Sequence, residues 1–178
     1  MIYSVASFFL SRIDVLVDKK LDRIAEENPG KAEQAKRLRG EVAIASAKIA
    51  YQIFLDVFES ERYRNLARKG AHKQFLLWGS TSTKDPAYSD VKYVDSLIGP
   101  DTVNTLPEET FEAFLDHGSP EARLTQDIAE ARDTLKELAE IGIDLDAVTE
   151  QLVREGVDKF AEPFDEMLHT LQQQMQEA

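Results

Sequence analysis

Residues 77–86 of the chain are Leu77-Trp78-Gly79-Ser80-Thr81-Ser82-Thr83-Lys84-Asp85-Pro86. The apolar segment that leads into them, 75–78, is short and uninterrupted, which predicts a fully buried strand. Small and hydroxyl residues, one lysine and an Asp-Pro turn follow it. In α/β barrels, chemistry takes place where polar residues follow the carboxyl ends of parallel strands. This order of residues therefore predicts a strand that opens at the mouth of an α/β barrel.

Two further segments show the same pattern of a short strand that ends in polar residues. The first, 4–10, is rich in residues that favour strands, and the second, 101–106, runs into Pro107. Together with 74–79, these strands alternate with helical segments, which predicts a parallel α/β arrangement. Three strands do not close a barrel, and a (β/α)8 chain typically needs about 250 residues. We therefore predict one partial domain over 1–178, the C-terminal part of a (β/α)8 TIM barrel.

Apolar residues at helical spacing occupy the segments between and after the strands. They predict helices over 11–28, 31–59, 60–69 and 108–116, and a short helix within 86–99. After Pro120 the pattern predicts a chain that is helical to its end. One helix is expected to close at Gly142, another to end before Gly156, and a last amphipathic helix to run from Val157 to Met175.

Composition excludes several classes of function. The chain has 178 residues and no cysteine, which excludes a disulfide scaffold, thiolate catalysis and thiol-ligated metal. The net charge of −12 divides into +3 over residues 1–100 and −15 over residues 101–178. The acidic second part argues against nucleic acid and against anionic membranes as partners. Without a signal peptide or an apolar run near eighteen residues, we expect a cytoplasmic protein.

Two cations are candidates for binding an anionic ligand. Arg12 follows the first strand at the start of a helix, where a guanidinium can bind phosphate; the alternative is a surface arginine paired with Asp14 or another acid. Lys84 has three interpretations: a Schiff-base lysine, a phosphate-binding cation or a solvated loop residue. A Schiff-base lysine needs a desolvated amine, whereas the neighbouring Asp85 keeps Lys84 charged. The sequence therefore favours phosphate binding over imine chemistry.

Hydroxyl residues near the strand ends are a second group of candidates. They are able to donate to sugar hydroxyls or phosphate oxygens, but such residues also cap helices and form turns. The group consists of Ser7, Ser80, Thr81, Ser82 and Thr83. The sequence contains no Gly-rich phosphate loop, no metal-ligand cluster and no Ser/His/Asp order.

Three long segments resemble the C-terminal half of a transaldolase. They are VASFFLSRIDVLVDKKLD at 5–22, GEVAIASAKIAYQIF at 40–54 and LLWGSTSTKDPAYSDVKYVDSLIGPDTVNTLPEETFEAFLDHG at 76–118. The most similar pattern is that of the bacterial branch that includes transaldolases fused to glucose-6-phosphate isomerase. The resemblance covers nearly the whole chain.

The resemblance implies a (β/α)8 barrel enzyme of the pentose phosphate pathway. Such enzymes move a dihydroxyacetone unit from sedoheptulose 7-phosphate to glyceraldehyde 3-phosphate, and they use no cofactor or metal. The substrate carbonyl is held as a Schiff base on a lysine of the fourth strand. An acid and a water-holding glutamate lie on earlier strands.

Carried over by position, the resemblance assigns roles to five residues. The strand at 4–10 matches the sixth of the family, so that Ser7 and Phe9 would line the substrate pocket and Arg12 would bind the substrate phosphate. The strand at 74–79 matches the seventh, so that Ser82 would be a pocket hydroxyl. Lys84 would stand where many members have a phosphate-binding arginine. A lysine keeps the point charge there but lacks the bidentate geometry of arginine.

Nothing in the sequence matches the first five strands of the family, so the resemblance assigns no catalytic residue to this chain. The Schiff-base lysine is expected on an absent strand. We therefore expect a truncated transaldolase that is inactive alone. The alternatives are a non-catalytic module, a half-barrel that assembles with a separate N-terminal half, and an autonomous aldolase that uses Lys84. The coding sequence upstream of Met1 separates a truncated transaldolase from these alternatives.

The partial barrel carries an expectation about stability. Val5, Phe9, Leu77 and Val103 would face the barrel interior without the opposing layer of side chains that normally covers them. We therefore expect marginal stability or self-association unless the missing half is supplied.

Overall fold

Three parallel strands form one sheet in the order β1 (Ser4–Phe9), β2 (Gln74–Gly79) and β3 (Thr102–Asn104). The computed structural model describes the backbone of residues 2–177, and the side chains of this range except those at positions 160, 176 and 177. The strands predicted at 4–10 and 74–79 are confirmed to within one residue. The third is shorter than predicted, because Asp101 has a left-handed backbone with φ of 58° and the ladder ends at Asn104.

Helices occupy much of the rest of the described chain. The chain divides into two compact units, the first ending at Ile143 and the second beginning at Asp144. The helices are α1 (Leu10–Glu27), α2 (Ala32–Leu38), α3 (Val42–Phe58), α4 (Glu61–Ala67), α5 (Lys92–Ser96), α6 (Glu108–His117), α7 (Ile128–Ile141) and α8 (Leu145–Glu177), with a 3₁₀ turn at Pro29–Lys31.

The two faces of the sheet differ in burial. Successive side chains of a strand point to opposite faces, and paired residues of parallel strands share a face. Leu76 and Trp78 are buried in the core, and the Trp78 ring meets Phe8 edge to face. On the opposite face Val5, Phe9 and Val103 are 44%, 42% and 39% exposed. This face is therefore open at Val5, Phe9 and Val103, as predicted, whereas Leu77 on the central strand is half-buried.

The core of the first unit lies among the helices. The apolar stripe of α1 is fully buried at Leu10, Val17 and Leu21. Helix α3 packs mainly against α1 and α7, and α1 packs against α2. Ala43 and Ala47 of α3 have no exposed surface, which shows that the small residues of this helix allow close packing.

The helix predicted over 31–59 is wrong in one respect, because it is two helices separated by a bend at Gly40. This glycine has φ of 73°, a conformation that side chains rarely adopt. A Cβ atom there would lie 2.5 Å from Lys92 Nζ and 2.7 Å from Tyr88 Cζ. The bend is thus packed closely against Tyr88 and Lys92, residues distant in sequence, which no local pattern reveals.

One of the remaining helix predictions is confirmed and another needs correction. The short helix predicted within 86–99 is α5 at Lys92–Ser96. The helix expected after Pro120 begins only at Ile128, following Asp127 with its left-handed φ of 55°. The predicted end of this helix at Gly142 is confirmed by φ of 106° and by a hydrogen bond from the Ile143 amide to the Leu138 carbonyl.

The second unit consists of α8, which is one continuous helix where the sequence predicts two. The helix passes through Gly156 and contains Pro163. A glycine inside a helix lowers its stability by only about 1 kcal/mol relative to alanine. Strong helix-forming residues on both sides of Gly156 are therefore enough for the helix to continue past it. The apolar row at Phe164, Leu168 and Leu171 is exposed. No helix of the described chain is long and apolar enough to cross a membrane.

Candidate functional site

The loop that follows β2 begins with a strained residue. Ser80 has a left-handed backbone with φ of 52°, which is uncommon outside glycine, asparagine and aspartate. Its carbonyl oxygen accepts a hydrogen bond from the Ser11 amide at 3.0 Å. This bond joins the start of the loop to the first turn of α1. Strained residues of this kind often occur at functional sites.

Thr81 links the segments that leave the carboxyl end of the sheet. Its side chain is fully buried, and its hydroxyl donates to the Thr105 carbonyl oxygen at 2.8 Å. The Thr105 amide and hydroxyl donate in turn to the Trp78 carbonyl oxygen, at 2.9 Å and 3.0 Å. Thr81, one of the candidate hydroxyls in the sequence, therefore holds the segments that follow β2 and β3 together.

Lys84 and Ser82, two residues predicted for the site, are brought together by the structure. The Lys84 ammonium donates to the Ser82 hydroxyl at 2.6 Å. The Lys84 side chain is exposed. An exposed amine suits the binding of a phosphate, whereas imine chemistry needs a desolvated amine.

Ser7, Phe9 and Arg12 lie at the carboxyl end of β1 and just beyond it. Ser7 and Phe9 share the open face of the sheet, where Ser7 pairs with Leu77 and Phe9 pairs with Gly79. The Arg12 guanidinium carbon lies 4.9 Å from the centroid of the Phe9 ring. The structure thus places a cation over an aromatic ring at the edge of the open face.

The two predicted pairs, Arg12 with Phe9 and Lys84 with Ser82, follow neighbouring strands. In the described residues no hydrogen bond, ion pair or ring contact joins one pair to the other, and the Ser11–Ser80 bond links the segments that carry them. The alternative pairing of Arg12 with Asp14 is not found among the described ion pairs. The Asp14 carboxylate is buried and accepts hydrogen bonds from the Ala43 amide at 2.8 Å and the Tyr93 hydroxyl at 2.8 Å.

Asp14 belongs to a buried polar network whose members were not among the predicted site residues. The Lys92 ammonium lies 3.5 Å from the Asp14 carboxylate. One turn along α1, Asp18 accepts hydrogen bonds from the Gly40 amide at 2.9 Å and the Tyr88 hydroxyl at 2.7 Å. The sequence signal was present, because the two carboxylates stand four residues apart on the apolar face of α1. Their partners are distant in sequence and could not be named.

Burial shifts the acid–base behaviour of this network. Burial raises the pKa of Asp18, although the hydrogen bonds from Tyr88 and Gly40 act in the opposite direction. Burial also raises the pKa of Tyr88, and the Tyr88 bond to Asp18 adds to this increase. The Tyr93 pKa is raised by burial and by the nearby Asp14 charge. Both tyrosine hydroxyls therefore stay protonated at neutral pH and donate hydrogen bonds.

A cleft of about 630 Å³ is lined by residues of this network and of the loop that carries Lys84. Lys84, Asp85, Tyr88, Asp18 and Arg39 are among its lining residues. Carboxylates and cations both line the cleft, so it has no single strong charge. Among the described residues, no group of three or more His, Asp or Glu side chains is arranged to hold a metal ion.

Comparison with known proteins identifies the family. The model of the transaldolase/fructose-6-phosphate aldolase family matches residues 2–171. Transaldolase of Trichodesmium erythraeum is 47% identical over 98% of this chain and 47% of its own length. Transaldolase 2 of a Nostoc species is 49% identical over 96% of this chain and 46% of its own length.

A more distant relative, transaldolase of Mycolicibacterium smegmatis, is 42% identical over 99% of this chain and 46% of its own length. The chain spans about half the length of the curated relatives it matches. The family model and the relatives agree along nearly the whole chain, and the strand-end residues described above lie within the matched range. The chain therefore belongs to the transaldolase/fructose-6-phosphate aldolase family.

Proposed function

We propose that this chain is the C-terminal part of a transaldolase-type (β/α)8 barrel and supplies the flank of the active site that binds the substrate phosphate. The reaction is the transfer of a dihydroxyacetone unit from sedoheptulose 7-phosphate to glyceraldehyde 3-phosphate. The observation that carries the proposal is the pair of cations, Arg12 and Lys84, which follow neighbouring parallel strands at their carboxyl ends. Family membership supports the class of reaction, a group transfer.

The roles of the side chains follow from their chemistry. Arg12 and Lys84 bind the phosphate of the sugar, and the Phe9 ring supports the Arg12 guanidinium through a cation–π contact. Ser7 and Ser82 line the pocket, and Ser82 also accepts a hydrogen bond from Lys84. Fixing the phosphate holds the rest of the substrate in one orientation, which lowers the entropic part of the barrier.

The reacting centre lies outside this chain in the proposal. A transaldolase needs a Schiff-base lysine, an acid and a glutamate on strands that match nothing in these 178 residues. We therefore propose that the chain alone is inactive. The reaction requires no cofactor or metal under this proposal, and a cytoplasmic location stays a prediction.

The open face of the sheet supports a partial barrel. Val5, Phe9 and Val103 are exposed on one face, and β1 and β3 are each paired on one side only within the described sheet. Unpaired strand edges and an uncovered apolar face are the surfaces on which further strands and their side chains would pack. The same surface also supports the alternative, in which the chain is a half-barrel that assembles with a separate N-terminal half.

Complementation tests the proposal. The purified chain is assayed for transaldolase turnover alone, and then after mixing with the part of the Trichodesmium erythraeum transaldolase that it does not match. We expect no turnover alone and measurable turnover in the mixture. In the active mixture, Lys84→Gln raises KM for the sugar phosphate about tenfold or more, since a charge-assisted phosphate contact is lost.

Two outcomes contradict the proposal. Turnover by the pure chain, with borohydride trapping of Lys84, would show an autonomous aldolase. An active mixture in which Lys84→Gln and Arg12→Gln both leave KM unchanged would show that these cations do not bind the substrate. A matched control is Lys136→Gln, because Lys136 lies on α7 in an exposed pair with Glu140.

A further inference from the structure

The loop that carries Lys84 is fixed on both sides of that residue. Before it, the Ser80 carbonyl accepts the Ser11 amide and the buried Thr81 hydroxyl binds Thr105. After it, an Asp85 carboxylate oxygen pairs with the Arg39 guanidinium at 2.9 Å. The other Asp85 oxygen accepts the Ala87 amide at 2.9 Å, which forms a local turn. Lys84 thus lies between a backbone anchor and an ion pair.

Arg39 is itself held in place by a second network. It is the last residue before the bend at Gly40, and its Nε forms an ion pair with Asp22 on α1 at 3.2 Å, without the geometry of a hydrogen bond. The Gly40 amide donates to Asp18, and the Gly40 carbonyl accepts a hydrogen bond from Lys92. The Arg39 and Asp85 side chains are 35% and 29% exposed, so the pair is shielded from solvent more than a surface ion pair.

We infer that Arg39 is a positioning residue for Lys84, acting through its ion pair with Asp85. The inference rests on the proposed function, in which Lys84 binds a phosphate. Asp85 is the next residue after Lys84, so holding its carboxylate restricts the backbone of Lys84 directly. A lysine on a restrained loop loses less conformational freedom when it binds a ligand than one on a mobile loop, and its affinity is correspondingly higher.

Charge gives Arg39 a second effect on the same site. Asp85 follows Lys84 in the chain and lines the same cleft, and its negative charge repels a phosphate that binds there. The Arg39 guanidinium donates to the Asp85 carboxylate at 2.9 Å and offsets its charge. Removal of Arg39 therefore frees the loop and also exposes the phosphate to an uncompensated carboxylate.

The test uses the 178-residue chain, at a concentration where sedimentation velocity shows it to be monomeric, and two readouts. Backbone ¹⁵N relaxation measures the order of residues 82–85, and a titration with inorganic phosphate, followed by the amide shifts of the same residues, measures affinity. In Arg39→Gln we expect the order parameters of 82–85 to fall from about 0.85 toward about 0.6. Phosphate binding should weaken by about threefold to tenfold, as for loss of a partly shielded ion pair.

Further variants separate positioning from a general structural role. Arg39→Lys keeps the charge and should recover most of the order and affinity. Asp85→Asn still accepts the Ala87 amide but weakens the ion pair, so it should loosen 82–85 even if Arg39→Gln fails to fold. Arg37→Gln is the matched control, because Arg37 lies two residues away and pairs with Glu137 on α7. It should change neither readout.

The inference is overturned if 82–85 are as well ordered in folded Arg39→Gln and Asp85→Asn as in the wild type. It is also overturned if Arg39→Lys behaves like Arg39→Gln in both readouts. A wild-type chain that shows no phosphate-dependent shifts contradicts the proposed phosphate site. The order parameters still decide whether Arg39 positions the loop, so the two failures are distinguishable.

Discussion

At the scale of single residues, Asp18 is a group whose protonation matters for stability. Its carboxylate is buried against the Gly40 amide and the Tyr88 hydroxyl, and burial raises its pKa. An acid with a raised pKa binds its proton more tightly in the folded protein than in the unfolded one. Proton binding by Asp18 therefore stabilises the folded protein fully below the ordinary aspartate pKa of 3.8. This stabilisation is lost as the pH rises through the pKa of Asp18 in the folded protein.

The variant Asp18→Asn tests the direction in which stability changes with pH. Asparagine can still accept from the Gly40 amide and the Tyr88 hydroxyl, but it carries no charge near Asp14. Relative to the wild type, the variant should gain stability as the pH rises from about 4 to about 7. Urea unfolding at several pH values measures the difference. A difference that is constant with pH, or one that falls, would show that burial does not dominate at Asp18.

The positions of the candidate residues at the strand ends were predictable from the sequence, and the positions of the residues behind them were not. Ser82 and Lys84 follow a short apolar strand directly, so local order was enough to place them side by side. The Asp18–Tyr88 and Asp14–Tyr93 bonds join residues 70 and 79 positions apart. Such pairs depend on how α1 packs against the segment after β2, which a single sequence does not specify.

At the scale of elements, the bend between α2 and α3 depends on one glycine. Gly40 combines a left-handed backbone with crowding by Lys92 and Tyr88. Gly40→Ala should lower the free energy of unfolding by about 3 kcal/mol, from backbone strain together with displacement of packed neighbours. Thermal and urea unfolding of the variant, with far-UV circular dichroism to check its helix content, measure the loss.

Two other glycines supply matched controls. Gly70 has φ of 92°, and a methyl group added there would meet no atom within 4 Å, so Gly70→Ala isolates the backbone strain. Gly30 has neither a positive φ nor a close neighbour, and Gly30→Ala should be neutral or slightly stabilising. The expected order of destabilisation is Gly40, then Gly70, then Gly30. Equal losses at Gly40 and Gly70 would mean that the contacts with Lys92 and Tyr88 contribute nothing.

The same comparison explains which element boundaries the sequence could predict. Gly142 ends α7 with a local hydrogen-bonding pattern, and its position was predicted correctly. Gly40 divides a helical pattern because distant side chains bind the bend, and Gly156 lies within a helix that continues past it. A glycine alone therefore does not decide a boundary, since the outcome depends on local capping or tertiary contacts.

At the scale of the whole molecule, the open face of the sheet determines how the chain behaves alone. Val5 and Val103 lie on its two edge strands, and each is about two-fifths exposed, at 44% and 39%. Apolar side chains beside unpaired strand edges favour association with other chains. We therefore expect the pure chain to self-associate as its concentration rises, and we expect the complementing half of a relative to compete with this association.

The double variant Val5→Thr/Val103→Thr tests which surface is responsible. Threonine keeps the β-branched shape that suits a strand but adds a hydroxyl to the face. Sedimentation velocity over a range of concentrations should show the wild type associating and the variant remaining monomeric. Val57→Thr, at a valine of α3 that is 51% exposed, is the matched control and should associate like the wild type.

If the double variant associates as the wild type does, the interface does not lie on the open face of the sheet. The exposed row on α8 at Phe164, Leu168 and Leu171 is then the next surface to substitute. If the variant instead becomes monomeric and also loses complementation by the relative's half, one surface serves both contacts. That result would join the physical behaviour of the isolated chain to its proposed place in a complete barrel, because the same uncovered layer would drive self-association and assembly.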